Sequence, residues 1–137
     1  MVVFVLDASV CLAWCFEDEI TQWTNDLFTR LRAGDRILVP AHWPTEVSNG
    51  LLIGVRRQRI KPDQPAPFWD EFANLPIVTK PALTAAEAKA VLMLSESILL
   101  TVYDAAYLEL ALRKQLPFET LDADLRRATN DEGIALL

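Results

Sequence analysis

The sequence predicts a single α/β domain, residues 1–137, in which helices flank a mostly parallel central sheet. Apolar runs typical of buried strands alternate with segments whose apolar residues recur at helical spacing. The clearest run, Val2–Leu6, is continuous and β-branched, as expected of a strand covered on both faces. With 137 residues, 52% hydrophobic and 23% charged, the chain has the size and composition of one packed domain.

The first half of the chain predicts two helices before a second strand. Ser9–Cys15 reads as a short helix with Ser9 as its N-cap. Thr21–Leu31 carries apolar residues at helical spacing, and Gly34 follows as a C-terminal capping signal. Ile37–Val39 is then a short apolar strand, ended by a proline.

The middle of the chain predicts a long helix, a proline-rich loop, a short helix and an edge strand. Pro44–Arg57 is the long helix, with proline near its first turn. Its predicted inward face consists of Val47, Leu51, Leu52 and Val55. Lys61–Phe68 is expected to be a loop, Phe68–Ala73 a short helix and Ile77–Val78 a strand at the sheet edge.

The last part of the chain predicts three helices and two strands. Thr84-Ala-Ala-Glu87 is a capping box that opens a helix ending near Ser97. Val102–Lys114 is a second strong helix, with an expected inward face of Tyr103, Ala106, Tyr107 and Leu110. The remaining expected elements are a strand at Phe118–Leu121, a helix at Asp124–Thr129 and a last strand at Ile134–Leu136.

Charge and composition exclude several classes of function. The net charge of −6 argues against a module that holds phosphate by bulk positive charge. Two cysteines cannot build a disulfide framework, and one histidine, His42, cannot make a histidine-rich zinc site. The short apolar start lacks a basic leader, so we expect a cytoplasmic protein without a membrane segment.

Four acidic residues fall where the carboxyl ends of the predicted strands should meet. Asp7 directly follows the first strand, and Asp122 follows the Phe118–Leu121 strand. Glu46 lies in the first turn of the helix after the second strand, and Asp104 lies in the first turn of a later helix. Because open parallel sheets bind ligands outside the carboxyl ends of their strands, we expect these acids to share one site.

Clustered carboxylates repel one another unless a cation lies between them. Mg²⁺ and Mn²⁺ prefer oxygen ligands and also bridge to phosphate, so the pattern predicts metal-dependent phosphodiester cleavage. Each acid also has a simpler interpretation, because Asp7, Asp104 and Asp122 could cap helices and the helix dipole could favour Glu46 in a first turn. Asp124 competes with Asp122 for the fourth position.

The same residues give the chain a family resemblance over essentially its whole length. It resembles a PIN domain, and most closely the VapC-type toxin ribonucleases of bacterial toxin–antitoxin pairs. The motif around Asp104 is the most specific of the four matching pieces. These are Val3-Phe-Val-Leu-Asp-Ala-Ser9, Glu46-Val-Ser-Asn49, Leu100-Thr-Val-Tyr-Asp-Ala-Ala-Tyr-Leu108 and Thr120-Leu-Asp-Ala-Asp-Leu125.

The resemblance implies an endoribonuclease that uses Mg²⁺ or Mn²⁺, forms a homodimer and is neutralised by a cognate antitoxin protein. Carried over by residue, it implies an acidic quartet of Asp7, Glu46, Asp104 and Asp122. It further implies hydroxyl residues beside the quartet and a polar residue one turn after Glu46. These are Ser9, Thr120 and Asn49.

Basic residues offer two possible paths for RNA. Arg126 and Arg127, one turn past Asp122, could hold backbone phosphate or could form a solvated helix face. The run Arg56-Arg57-Gln-Arg59 lies at the end of the Glu46 helix, where the dipole already favours cations.

Two other functions remain open from the sequence. One is a receiver-like phosphoacceptor module, although Asp7 stands alone after its strand and no lysine follows Leu121. The other is a PIN-like scaffold that binds RNA or a protein without cutting, which the intact quartet disfavours.

Overall fold

A four-stranded sheet, all parallel and ordered β3-β2-β1-β4, forms the centre of the fold. The computed structural model describes all 137 residues. The strands are β1 Val3–Leu6, β2 Arg36–Val39, β3 Ile77–Thr79 and β4 Phe118–Glu119. The helices are α1 Ala8–Ala13, α2 Gln22–Arg32, α3 Trp43–Arg56, α4 Pro65–Ala73, α5 Ala85–Ile98, α6 Val102–Lys114 and α7 Ala123–Asp131, with a 3₁₀ turn at Glu17–Glu19. The predicted α/β class and parallel sheet are confirmed.

The central strand β1 is the most deeply buried element. Phe4, Val5 and Leu6 are all 0% exposed. Because β1 pairs with β2 on one side and β4 on the other, its backbone groups bond within the sheet, and helices cover both faces. This burial explains a continuous apolar run where a half-exposed strand would alternate.

Side-chain caps fix where several helices begin. The capping box at Thr84 is confirmed, since its hydroxyl accepts from the Glu87 backbone N–H while the Glu87 carboxylate accepts from the Thr84 N–H. Thr101 caps α6 by accepting from the backbone N–H of Asp104, at 3.2 Å. Asp122 caps α7 through Oδ1, 2.8 Å from the Leu125 nitrogen. These caps set the positions of the acidic residues at the helix starts.

Helices α5 and α6 form a tight corner that precedes Asp104. Leu99, between them, adopts a left-handed conformation at φ 58°, and the Ser95 hydroxyl donates to the Leu100 carbonyl. No single helix is both long and apolar enough to cross a membrane; this pair reaches the required apolar length only together, with a 110° bend. The middle of α6, residues 105–111, is buried and packs against the sheet.

Some predicted boundaries were wrong. Helix α1 starts at Ala8, so Asp7 and not Ser9 occupies the N-cap position. Helix α4 already begins at Pro65, because proline is tolerated in the first turn of a helix, and the predicted loop is correspondingly shorter.

Two residues on the predicted inward faces are exposed, since Leu52 is 43% and Tyr103 is 62% exposed. Both side chains are therefore largely outside the core, although helical spacing alone placed them with it.

The expected last strand at Ile134–Leu136 does not form. Gly133, at φ +73°, turns the chain after α7, and the Ile134 N–H donates back to the Thr129 carbonyl. The Leu137 N–H donates to a Glu119 side-chain oxygen at 3.0 Å. The Ile134 N–H is therefore used at the end of α7, and no backbone hydrogen bond joins this segment to the sheet.

Candidate active site

The strand register brings the residues after β1 and β4 together. Leu6 pairs with Glu119, so Asp7 and Thr120 come next to each other at the carboxyl ends of the two strands. The Thr120 hydroxyl donates to Asp7 Oδ2 at 2.7 Å. The contact joins residues far apart in sequence, and it lies at the sheet edge where the sequence placed a site.

Two hydroxyl groups hold the buried Asp7 carboxylate. Ser9 donates to Oδ1 at 2.5 Å, and its own oxygen accepts from the Leu121 backbone N–H at 3.2 Å. Thr120 donates to Oδ2 and likewise accepts from the Asp122 N–H at 3.0 Å. With its oxygen taking a backbone N–H, each hydroxyl points its own proton at Asp7, so the carboxylate orientation is fixed from both sides.

Burial raises the pKa of the Asp7 carboxyl by more than these hydrogen bonds lower it. The residue is 5% exposed, and removal from water raises the pKa of its carboxyl to about 6. The hydroxyls of Ser9 and Thr120 oppose the rise, and the negative charge of Glu46 adds to it. The ionised form of Asp7 is therefore destabilised by its surroundings, and a positive charge nearby would stabilise it.

Glu46 projects from the first turn of α3 and is held by two side chains. The Tyr107 hydroxyl on α6 donates to Glu46 Oε1 at 2.7 Å. His42 Nε2 lies 3.0 Å from the same oxygen. Burial, and then the charge of Glu46, raises the pKa of Tyr107, so its hydroxyl stays protonated as a donor.

Asp104 and Asp122 complete the acidic group. Asp104 lies in the first turn of α6, and burial raises the pKa of its carboxyl, followed by the charges of Asp122 and Glu46. Asp124, the alternative to Asp122, is exposed and forms an ion pair with Arg127 at 2.8 Å. Of the two, Asp122 is the one whose charge acts on Asp104, although it also serves as the helix cap.

The donor set suits a hard divalent cation, while the side chains are not yet arranged around one point. No three histidine, cysteine, aspartate or glutamate side chains lie close enough to hold a common metal ion. No arginine or lysine pairs with the four acids, and the only ion-pair partner among them is His42 at Glu46. Carboxylate oxygens without cationic partners are ligands that Mg²⁺ and Mn²⁺ prefer, so the donor chemistry fits.

The other predicted site residues divide between the site and the surface. Arg126 donates to the Thr120 carbonyl at 2.8 Å, and its guanidinium lies 5.5 Å from the Trp23 ring centroid. It therefore supports the backbone beside Asp7. Arg127 pairs with Asp124 on the surface, and the side chain of Asn49 is exposed and makes no hydrogen bond.

The second basic run is partly engaged within the chain. Arg59 pairs with Asp18 and Glu19 at 2.8 and 2.7 Å and covers the Phe16 ring at 4.1 Å. Arg56 and Arg57 form no ion pair.

Sequence reasoning missed the two residues that hold Glu46. From the sequence, His42 has no predicted role at the site, and Tyr107 is predicted only as an inward-facing aromatic residue. A signal existed, because His42 lies one helical turn before Glu46 and Tyr107 one turn after Asp104, the spacing that puts side chains on one helix face.

The parallel sheet, with helices around it and carboxylates at the ends of its strands, makes this an α/β domain with a candidate active site. The PIN domain family matches residues 4–131, and the chain belongs to that family. PIN domains are generally nucleases. The structure is also similar to the crystal structure of PAE2754 from Pyrobaculum aerophilum, at 18% identity and a TM-score of 0.71, covering 93% of this chain and 84% of that one. No curated protein gives a significant match.

Proposed function

We propose that the protein is an endoribonuclease that uses Mg²⁺ or Mn²⁺ held by Asp7, Glu46, Asp104 and Asp122. One observation carries the proposal. At a single sheet edge of a PIN domain, burial raises the carboxyl pKa of Asp7 and Asp104, the charge of Glu46 raises both further, and the charge of Asp122 adds to the rise at Asp104. Such mutual repulsion destabilises a fold unless a cation relieves it.

The protein's own groups prepare this site for phosphate chemistry. A bound divalent cation would supply the positive charge that offsets both the carboxylates and the phosphate oxygens, and would polarise water for attack. Ser9 and Thr120 hold both oxygens of Asp7, so its orientation is set before a ligand binds. Preorganised groups of this kind stabilise developing charge without reorganisation.

We also propose that the substrate is RNA and that the protein is the toxin of a toxin–antitoxin pair. The VapC-like motifs Leu100–Leu108 and Thr120–Leu125 support this proposal. Arg126, beside Asp122, offers one cationic contact for backbone phosphate on an otherwise acidic chain. The family membership removes the receiver-like alternative.

Homodimerisation and antitoxin binding belong to the same proposal. Several large apolar side chains are exposed on and near the α5–α6 corner, including Met93 at 59% and Leu99 at 87%. An apolar surface of this kind is typical of a protein interface. Measuring the molar mass in solution by light scattering tests the dimer, which we expect at micromolar concentration.

An RNA-cleavage assay tests the activity. The purified chain should cut members of a panel of structured RNAs with Mg²⁺ or Mn²⁺ and stop when EDTA is added. Asp104→Asn should lower the rate by roughly 100-fold or more, because a charge that acts in the transition state is removed. Asp124→Asn is the matched control, since Asp124 is also a first-turn acid but pairs with Arg127, and it should cleave like the parent.

RNA binding must be measured alongside cleavage. Binding without cleavage by the folded parent, with either metal, would favour the silent scaffold and contradict the nuclease. Equal losses of cleavage rate in Asp104→Asn and Asp124→Asn would show that Asp104 contributes no more to catalysis than a surface acid does.

A further inference from the structure

Glu46 differs from the other three acids in having donors from two different elements on one oxygen. Tyr107, on α6, donates its hydroxyl to Oε1 at 2.7 Å. His42, at the N-cap position of α3, places Nε2 3.0 Å from the same oxygen. The other oxygen, Oε2, accepts no hydrogen bond from the protein. One oxygen is therefore tethered, and the other remains available.

The direction of the histidine bond follows from its second neighbour. His42 Nε2 also lies 3.1 Å from the Tyr103 backbone carbonyl. A carbonyl and a carboxylate can only accept, so Nε2 must carry the hydrogen. That hydrogen lies between the two acceptors, which links the N-terminus of α3 to the first turn of α6.

Packing keeps both donors in place. Tyr107 is 1% exposed, and its ring stacks on Phe118 with 6.2 Å between centroids. The His42 ring meets Tyr103 and Tyr107 edge-on, at 5.6 and 5.2 Å. A glutamate side chain loses rotamer freedom when it is ordered, and these fixed donors impose that order before any ligand binds.

We infer that Tyr107 and His42 are positioning residues that hold Glu46 Oε1 so that Oε2 is presented to the divalent cation. The inference rests on the proposed metal-dependent function and adds two residues to it. Partners that orient metal-binding side chains commonly change metal affinity by about 10- to 100-fold when they are removed. Neither residue touches the cation or the substrate, so each acts through Glu46.

Mn²⁺ affinity, measured by calorimetric titration without RNA, tests the inference. Tyr107→Phe removes only the hydroxyl and should weaken Mn²⁺ binding by about tenfold. Tyr103→Phe is the matched control, because it keeps the ring and the backbone carbonyl that contact His42 and removes only an exposed hydroxyl that makes no hydrogen bond. It should bind Mn²⁺ like the parent.

A histidine pair separates positioning from simple packing. His42→Leu removes the donor and should weaken Mn²⁺ binding by about tenfold, whereas His42→Gln keeps an N–H donor and should restore most of the affinity. Metal-free melting temperatures of all variants establish that they fold. If Tyr107→Phe fails to fold, the His42→Leu and His42→Gln comparison decides alone.

The outcomes distinguish two failures. Parent-like Mn²⁺ affinity in Tyr107→Phe and His42→Leu would overturn the positioning role and leave the proposed function intact. An equal loss in His42→Leu and His42→Gln would also overturn it, since the donor would then be irrelevant. A folded parent that binds no Mn²⁺ would overturn the proposed function and this inference together.

Discussion

Replacing Asp7 by asparagine removes the buried carboxylate charge while keeping the side-chain shape. Burial raises the pKa of this carboxyl from its ordinary value of 3.8 to about 6 in the folded protein. Between these two values, the folded state holds a proton that the unfolded state has released. The free energy of unfolding of the parent should therefore fall as the pH rises through this window, and stay low above it.

The size of the effect follows from the two pKa values. Their difference, taken at about 1.4 kcal/mol per unit, makes ionised Asp7 cost about 3 kcal/mol above pH 6. Asparagine avoids this cost, but its amide can accept only one of the two hydroxyl bonds, which loses about 1 kcal/mol. Asp7→Asn should thus be about 2 kcal/mol more stable than the parent at about pH 8 without metal.

Urea unfolding at several pH values, in EDTA, measures both quantities. Subtracting the two pH profiles removes the contribution of every titrating group that does not interact with Asp7. We expect the parent to lose stability between about pH 4 and pH 6 relative to Asp7→Asn. Parallel profiles, or a variant less stable than the parent at about pH 8, would refute the burial argument.

Two further predictions concern packing and RNA contact. Gly54→Ala should destabilise the protein by about 1–2 kcal/mol in urea unfolding despite better helix propensity, since its Cβ would lie 2.5 Å from a buried Phe16 ring carbon. Gly50→Ala, whose Cβ meets only the flexible end of Leu12, should cost less, and the reverse order would contradict the packing. Arg126→Ala should weaken RNA binding and lower its salt dependence by about one charge, whereas Arg57→Ala should not. Equal effects in the two arginine variants would place the RNA path elsewhere.

Local sequence signals predicted the parts of the fold that local chemistry determines. The capping box at Thr84 and the buried run before Asp7 need no distant partner, so sequence alone located α5 and β1. The predicted strand at Ile134–Leu136 was wrong, because the apolar content of this segment is compatible with a strand but does not require one. Its actual partners, the end of α7 and Glu119, are fixed only by tertiary structure.

In the candidate site too, local sequence predicted some features, and only the tertiary structure determines the others. The position of Asp7 followed from the rule about strand ends, and its neighbour Thr120 followed from the resemblance. The tethering of Glu46 could not be predicted, because it depends on how α3 crosses α6. Likewise, both Asp122 and Asp124 suit a helix start by sequence, and only the folded chain shows that Asp124 is committed to Arg127.

Thermal unfolding with and without Mn²⁺ tests the central claim most directly, that these carboxylates bind a divalent cation. At a Mn²⁺ concentration about 100-fold above its dissociation constant, the parent should gain roughly 2.7 kcal/mol, a rise on the order of 10 °C in Tm. Asp7→Asn and Asp104→Asn should lose that rise, while the surface control Asp124→Asn should keep it. A full Mn²⁺-induced rise in both Asp7→Asn and Asp104→Asn would contradict the account.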